Sequence, residues 1–151
     1  MDQNLFLQSI AEVKLSYSTN VKPSDRRKIT CAKDAAEILR HVFPGIEHRE
    51  YFYAMLLNRG NYVLGFFQVS TGGIHGTLVD VRLIMQAAIK ANASSIVLSH
   101  NHPSGNLQAS DADIRITRKI KDACAVLDIS LLDHIILTTI GYLSMADDGI
   151  L

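Results

Sequence analysis

No run of apolar residues in this chain approaches the roughly 18 that a membrane-spanning helix needs, so no transmembrane segment is expected. The N-terminus lacks a basic region followed by a long apolar core and a small-residue cleavage site, which predicts no signal peptide. Cysteine is scarce. Cys31 and Cys124 stand alone in predicted helices, without metal-site spacing. With no secretion signal both read as reduced thiols, and the expected location is cytoplasmic. Net charge is lacking too, with 15 basic and 15 acidic residues and a pI near 7.0. That argues against a large nucleic-acid footprint and leaves at most a local basic patch. Repeats, linkers and low-complexity segments are absent.

What is there is a globular composition, 48% hydrophobic over 151 residues, long enough for one domain with a real core. Residues 1–9 are apolar but aperiodic and read as an N-terminal arm; the domain is expected to span 10–151. Polar and apolar residues alternate from Ala11 to Thr19, which predicts a half-buried strand. Val21 to Lys28 follows as a polar loop. Its Arg26, Arg27 and Lys28 are the best candidate for a phosphate contact, although a solvated loop is the preferred reading. Thr30 is placed to cap a helix over 31–43 with Ala35, Ile38, Leu39 and Val42 on one face.

The apolar runs 51–57 and 62–70 are joined by Asn58-Arg59-Gly60-Asn61, a hairpin signal in which Gly60 is free to take positive φ. A glycine-rich loop over 71–77 carries His75, a candidate substrate contact. Asp80 can cap the next helix, whose Ile84, Ala87, Ala88 and Ala91 form a narrow apolar stripe. A buried strand over 94–100 and a helix over 110–127 come next, the helix turning Ile116, Ile120, Ala123, Cys124 and Leu127 inward. A closing hairpin over 130–138 and 142–145 holds His134, which reads as a satisfied core histidine. This order predicts a single α/β domain, a mixed twisted β-sheet flanked by helices.

One stretch carries chemistry: Ser99-His100-Asn101-His102-Pro103-Ser104-Gly105, continuing to Ser110-Asp111-Ala112-Asp113. Residues two apart on a strand share a face, so His100 and His102 project together at the end of a buried strand, while Asn101 points to the opposite face and supports the loop. Pro103 and Gly105 turn the chain, and Asp113 falls in the first turn of the following helix. Two histidines and a carboxylate form a catalytic-type zinc shell with a position left for water. The same set also suits iron(II) or manganese. Ser110-x-x-Asp113 equally has the form of a helix capping box. The combination favours a metal. Thr117, one turn after Asp113, is placed to touch a ligand from behind.

His100-x-His102-Pro103 followed by Ser110-x-x-Asp113 resembles the JAMM motif of MPN-type zinc hydrolases. The fuller string His100-Asn101-His102-Pro103-Ser104-Gly105, Ser110-x-x-Asp113-x-x-x-Thr117 resembles the RadC family more narrowly, as do Leu132-Asp133-His134-Ile135-Ile136-Leu137 and Tyr142-Leu143-Ser144. The resemblance spans about residues 10–151. It implies an MPN/JAB-like fold and one Zn2+ per chain on His100, His102 and Asp113. It also implies a metallopeptidase-type hydrolase that cuts an amide, peptide or isopeptide bond in an unidentified peptide or protein.

JAMM enzymes place a glutamate at the start of a neighbouring strand to carry the proton. Here Glu47 and Glu50 are the candidates, and Glu50 is preferred because it directly precedes the run at Tyr51. Ser110 resembles the serine that donates to the developing oxyanion, yet one hydroxyl proton cannot serve two acceptors. Val81 and Leu83 replace a Pro and a Glu commonly found beside Arg82, and Ala109 replaces the Pro before Ser110; none of these removes a ligand. Full-length RadC members carry a helix-hairpin-helix region, so this chain resembles the short form. The family's traditional link to DNA repair supplies the alternative, a non-enzymatic repair or mobile-element accessory protein that binds nucleic acid or a protein partner. A third reading is a catalytically silent scaffold. Exposed strand edges in such domains leave a homodimer open.

Overall fold

The computed structural model describes residues 11, 13–14, 16–72 and 78–151. The expected arm at 1–9 and the candidate His75 lie outside them. Five strands, β1 (Tyr51–Leu57), β2 (Val63–Thr71), β3 (Ser95–Asn101), β4 (Ser130–Leu137) and β5 (Tyr142–Ser144), form one sheet in the order β2-β1-β3-β4-β5. Only the central β3–β4 pair is parallel; every other neighbour is antiparallel. Three helices flank it: α1 (Ala32–Val42), α2 (Val81–Lys90) and α3 (Asp111–Val126). The mixed α/β architecture is the expected one. No helix among the described residues is long and apolar enough to cross a membrane.

Alternation along the strands builds two cores. On one face Phe52, Ala54 and Leu56 of β1 with Ile96 and Leu98 of β3 pack against Ile84 and Ala88 of α2 and Ile120 and Cys124 of α3. On the other, Tyr53, Met55 and Leu57 with Val97, Ile135 and Leu137 pack against Ala35, Ala36 and Leu39 of α1. β1 and β3 are buried on both faces, as apolar runs without alternation require. Each fully buried Leu or Ile contributes about 1.5–3 kcal/mol relative to exposure. His100 shares the parity of Ile96 and Leu98, so it must emerge on the α2–α3 side.

Several local expectations are corrected. The described residues between Ala11 and Thr19 form no strand and are exposed, with Val13 82% accessible; alternation had no sheet neighbour to satisfy it. Tyr17 Oη nonetheless donates to the Leu64 carbonyl at 2.6 Å. Thr30 does not cap α1, whose N-cap is Cys31; instead its N–H and hydroxyl both donate to Asp34 Oδ2 at 2.8 and 2.6 Å. In the β1–β2 turn the left-handed residue is Asn61, φ 61°, rather than Gly60. A Cβ on Gly60 would lie 3.1 Å from the Tyr62 ring, so close approach explains the glycine. Leu127 is the exposed C-cap of α3 and contributes no inner face. Asp80 does cap α2, its Oδ1 accepting from Arg82 N at 2.9 Å.

Candidate metal centre

β3 ends at Asn101, and the Leu137 carbonyl of parallel β4 accepts from His102 N–H at 2.9 Å, carrying the ladder one residue further. The chain then turns. Gly105 N–H donates to the His102 carbonyl at 3.0 Å, with Pro103 at the second turn position and Gly105 at φ 80°. This turn returns the Asn106 carbonyl to His102 Nδ1 at 2.7 Å. A carbonyl only accepts, so His102 carries a proton on Nδ1 and aims Nε2 away from the loop.

α3 begins beneath. Ser110 is its N-cap in a complete capping box: Asp113 N–H donates to Ser110 Oγ at 3.1 Å, and Ser110 N–H donates to Asp113 Oδ2 at 2.8 Å. The Ser110 hydroxyl also donates to Asp113 Oδ2, at 2.7 Å. This cap fixes the carboxylate. His100 Nε2 lies 3.2 Å from Asp113 Oδ1, and His102 Nε2 lies 3.5 Å from Oδ2. The two Nε2 atoms are 2.9 Å apart. Among the described residues these three form the group of side chains suited to a metal ion, with ligand atoms all within 4.8 Å of one another. The capping and metal readings of Ser110-x-x-Asp113 are therefore compatible, because the carboxylate has two oxygens and the cap uses one.

The charges follow the geometry. Burial works to raise the Asp113 carboxyl, but hydrogen bonds from His100, His102 and Ser110 outweigh it and hold the group well below the usual carboxylate range. The hydrogen bond with Asp113 raises His102 above the ordinary imidazole value against the opposing effect of burial, and the charge of Glu50 adds to the rise. Such convergence of two imidazole nitrogens on a carboxylate in a cleft is the donor set a divalent ion requires, so the residues fit a metal.

Glu50 and Ser110 line the same cleft, about 830 Å3 in volume, together with Phe52, Val79 and Ile116. Glu47 is exposed and does not line it. Asn101 points away from its histidine neighbours, as expected, and its amide is fully used. Tyr51 N–H donates to Oδ1 at 2.7 Å, and Nδ2 donates to the Ile46 and Arg49 carbonyls at 3.0 and 2.7 Å. Gly72 N–H holds the Glu50 carbonyl at 2.8 Å. The backbone on both sides of Glu50 is thus tied to the ligand strand and to the end of β2.

His134 is more than a core histidine. It is fully buried, and burial, reinforced by His100, pushes its pKa well below the ordinary imidazole value. Its Nε2 lies 2.8 Å from His100 Nδ1, and its Nδ1 lies 2.6 Å from Thr117 Oγ1. Sequence parity places it on the α3 side of β4, but only the β3–β4 register, Leu98 opposite His134, brings it to His100. The Asn106 carbonyl left no sequence signal either, being backbone.

Arg27 and Lys28 sit elsewhere, in a separate cleft with Ile38, Val42 and Phe66 toward the α1 face. Asp34 and Glu37 line that cleft too and balance the basic side chains.

A family model described as the RadC-like JAB domain matches residues 29–150. A UPF0758 protein of Flavobacterium johnsoniae is 45% identical over 124 residues, covering 82% of this chain and 54% of its own length. One from Chlorobium phaeovibrioides is 34% identical over 143 residues, covering 95% and 64%, and one from Porphyromonas gingivalis is 40% identical over 104 residues, covering 68% and 46%. The chain spans about half to two-thirds of the length of these relatives. With its motif residues gathered at the end of the central strand of a mixed sheet and a family match over most of its length, the chain belongs to the RadC-like JAB domain family.

Proposed function

We propose that this chain is a metal-dependent hydrolase of amide bonds in peptides or proteins, with zinc as the preferred ion. The observation that carries this reading is the convergence of His100 Nε2, His102 Nε2 and Asp113 in a cleft that Glu50 also lines. Both histidines and the carboxylate would hold the ion. When bound, zinc supplies Lewis acidity toward a carbonyl oxygen and lowers the pKa of a water toward 7.

The chain's own residues then have distinct tasks. Glu50 accepts a proton from the attacking water and delivers it to the leaving nitrogen. A carbon–oxygen bond forms, the carbon–nitrogen bond breaks, and the proton ends on the amine. Ser110 donates to the oxyanion of the tetrahedral adduct, for which its hydroxyl must swing off Asp113 Oδ2. Ser110 N–H stays on that oxygen and keeps the carboxylate aimed.

Zinc-loaded protein incubated with a broad peptide library tests the bond type, with Glu50→Gln as the control. Cleavage by the wild type and its loss in Glu50→Gln, at unchanged zinc content, is the expected result. No cleavage of any amide by zinc-loaded wild type would contradict it. The balanced charge beside Arg27 and Lys28 gives the nucleic-acid reading no comparable support.

A further inference from the structure

We infer that His134 and Thr117 are positioning residues that fix the tautomer of His100, leaving its Nε2 lone pair free for a metal ion. The inference rests on the metal-binding reading above and deepens it. Four polar groups lie in series: the Asp113 carbonyl, Thr117 Oγ1, His134 and His100. Thr117 Oγ1 is 2.6 Å from the Asp113 carbonyl oxygen and 2.6 Å from His134 Nδ1; His134 Nε2 is 2.8 Å from His100 Nδ1.

The direction of every hydrogen bond follows from the first. Two oxygens at 2.6 Å repel unless a hydrogen lies between them, and a carbonyl has none to give. The single Thr117 hydroxyl proton is therefore committed to Asp113. Thr117 Oγ1 can then only accept from His134, so His134 carries its proton on Nδ1. A neutral imidazole with that proton has a lone pair on Nε2. That lone pair faces His100 Nδ1, which must donate. His100 Nε2 is left for the cluster with His102 and Asp113.

The relay closes on itself. It starts at the backbone of Asp113, passes through α3, crosses to β4, and returns through β3 to a nitrogen 3.2 Å from the Asp113 carboxylate. Both halves of the ligand set are thereby referenced to one residue. All three side chains of the relay are buried, with His134 and Thr117 at 0% and 2% exposure and His100 at 3%, so water does not offer substitute partners. Phe52 stacks on the His100 ring at 5.9 Å and meets the His134 ring edge-on at 5.3 Å, which limits rotation of both. A metal-ligating imidazole needs its second nitrogen held by a partner, and loss of such partners commonly lowers metal affinity by about 10- to 100-fold. Here the partner is another imidazole, whose own orientation is set by a hydroxyl.

The test has two arms. In the metal-free, full-length wild type labelled with nitrogen-15 in histidine, long-range proton–nitrogen NMR reads each ring's tautomer directly. The expected result is a proton on Nδ1 and an unprotonated Nε2 for His134, and a protonated Nδ1 for His100. A proton on Nε2 of His134 would overturn the relay, whatever the protein binds. In the second arm, zinc affinity is measured by competition with a chromophoric chelator for wild type, His134→Phe, Thr117→Val and Thr117→Ser. His134→Phe and Thr117→Val are expected to weaken zinc binding about 10- to 100-fold, and Thr117→Ser to restore it. Wild-type affinity in folded Thr117→Val would overturn the proposal. Failure of the wild type itself to bind zinc would instead overturn the metal reading, and the tautomers would still decide the relay.

Discussion

Tyr51 N–H donates to Asn101 Oδ1 at 2.7 Å, and this bond ties the strand that bears the histidines to the residue after Glu50. Asn101 faces the α1 side of β3 while His100 faces the α3 side, so one strand serves the ligands with one face and Glu50 with the other. Replacing Asn101 with Ala takes the side-chain partner from the Tyr51 N–H and from the Ile46 and Arg49 carbonyls at a partly buried position, a destabilisation of about 1–3 kcal/mol. Zinc content is expected to stay near the wild-type level while kcat falls, because Glu50 loses its anchor. Urea unfolding, metal analysis and peptide turnover measure the three effects. Loss of zinc along with kcat would show that Asn101 supports the ligands rather than Glu50.

Gly105 makes a separate prediction about His102. Its φ of 80° is the left-handed region, and a Cβ there meets nothing within 4 Å, so any penalty is backbone strain alone. Gly105→Ala is expected to cost about 1–2 kcal/mol if the turn holds. If the turn relaxes instead, the Asn106 carbonyl leaves His102 Nδ1 and zinc binding weakens. Either effect is visible by thermal unfolding or chelator competition. A variant with unchanged stability and unchanged zinc affinity would contradict the role given to this turn.

The metal-free and metal-loaded proteins should respond oppositely to pH. His102 is raised by its hydrogen bond to Asp113, so the folded chain holds that proton more tightly than the unfolded one. Its contribution is complete below 6.5 and is lost as pH rises through the raised folded value. Asp113 is lowered, so its contribution is present above 3.8 and is lost only in stronger acid. Metal-free protein is thus expected to lose thermal stability as pH rises above 6.5, where the lowered His134 is neutral in both folded and unfolded chains and no longer opposes the trend. Zinc displaces the His102 proton, so loaded protein gains stability over the same range. Parallel melting curves with and without chelator check this, and identical slopes would contradict it.

Much of this was legible in the sequence because the signals were local. The apolar runs of β1 and β3, the two-residue spacing of His100 and His102, the Pro103–Gly105 turn and the Ser110–Asp113 cap each depend on neighbours within a few positions. Most of the failures were of longer range. Ala11 to Thr19 alternates like a strand, but alternation says nothing about whether a sheet edge is there to receive it. Thr30 has the chemistry of a cap, yet Asp34 draws its hydroxyl and its N–H toward the helix instead. His134 is a buried histidine, as read, but its second identity depends on the β3–β4 register and on α3 crossing above it. No pattern within residues 130–138 could place Thr117 at 2.6 Å from its ring.

Zinc content is the most direct test of the central claim. Untagged full-length protein, purified without chelator and then supplied with zinc and desalted, is analysed by mass spectrometry beside His102→Ala. Close to one zinc per chain in the wild type, and almost none in a folded His102→Ala, is the predicted result. Equal zinc in both, or none in either, would contradict a metal centre on His100, His102 and Asp113 and leave Ser110 and Asp113 as a helix cap.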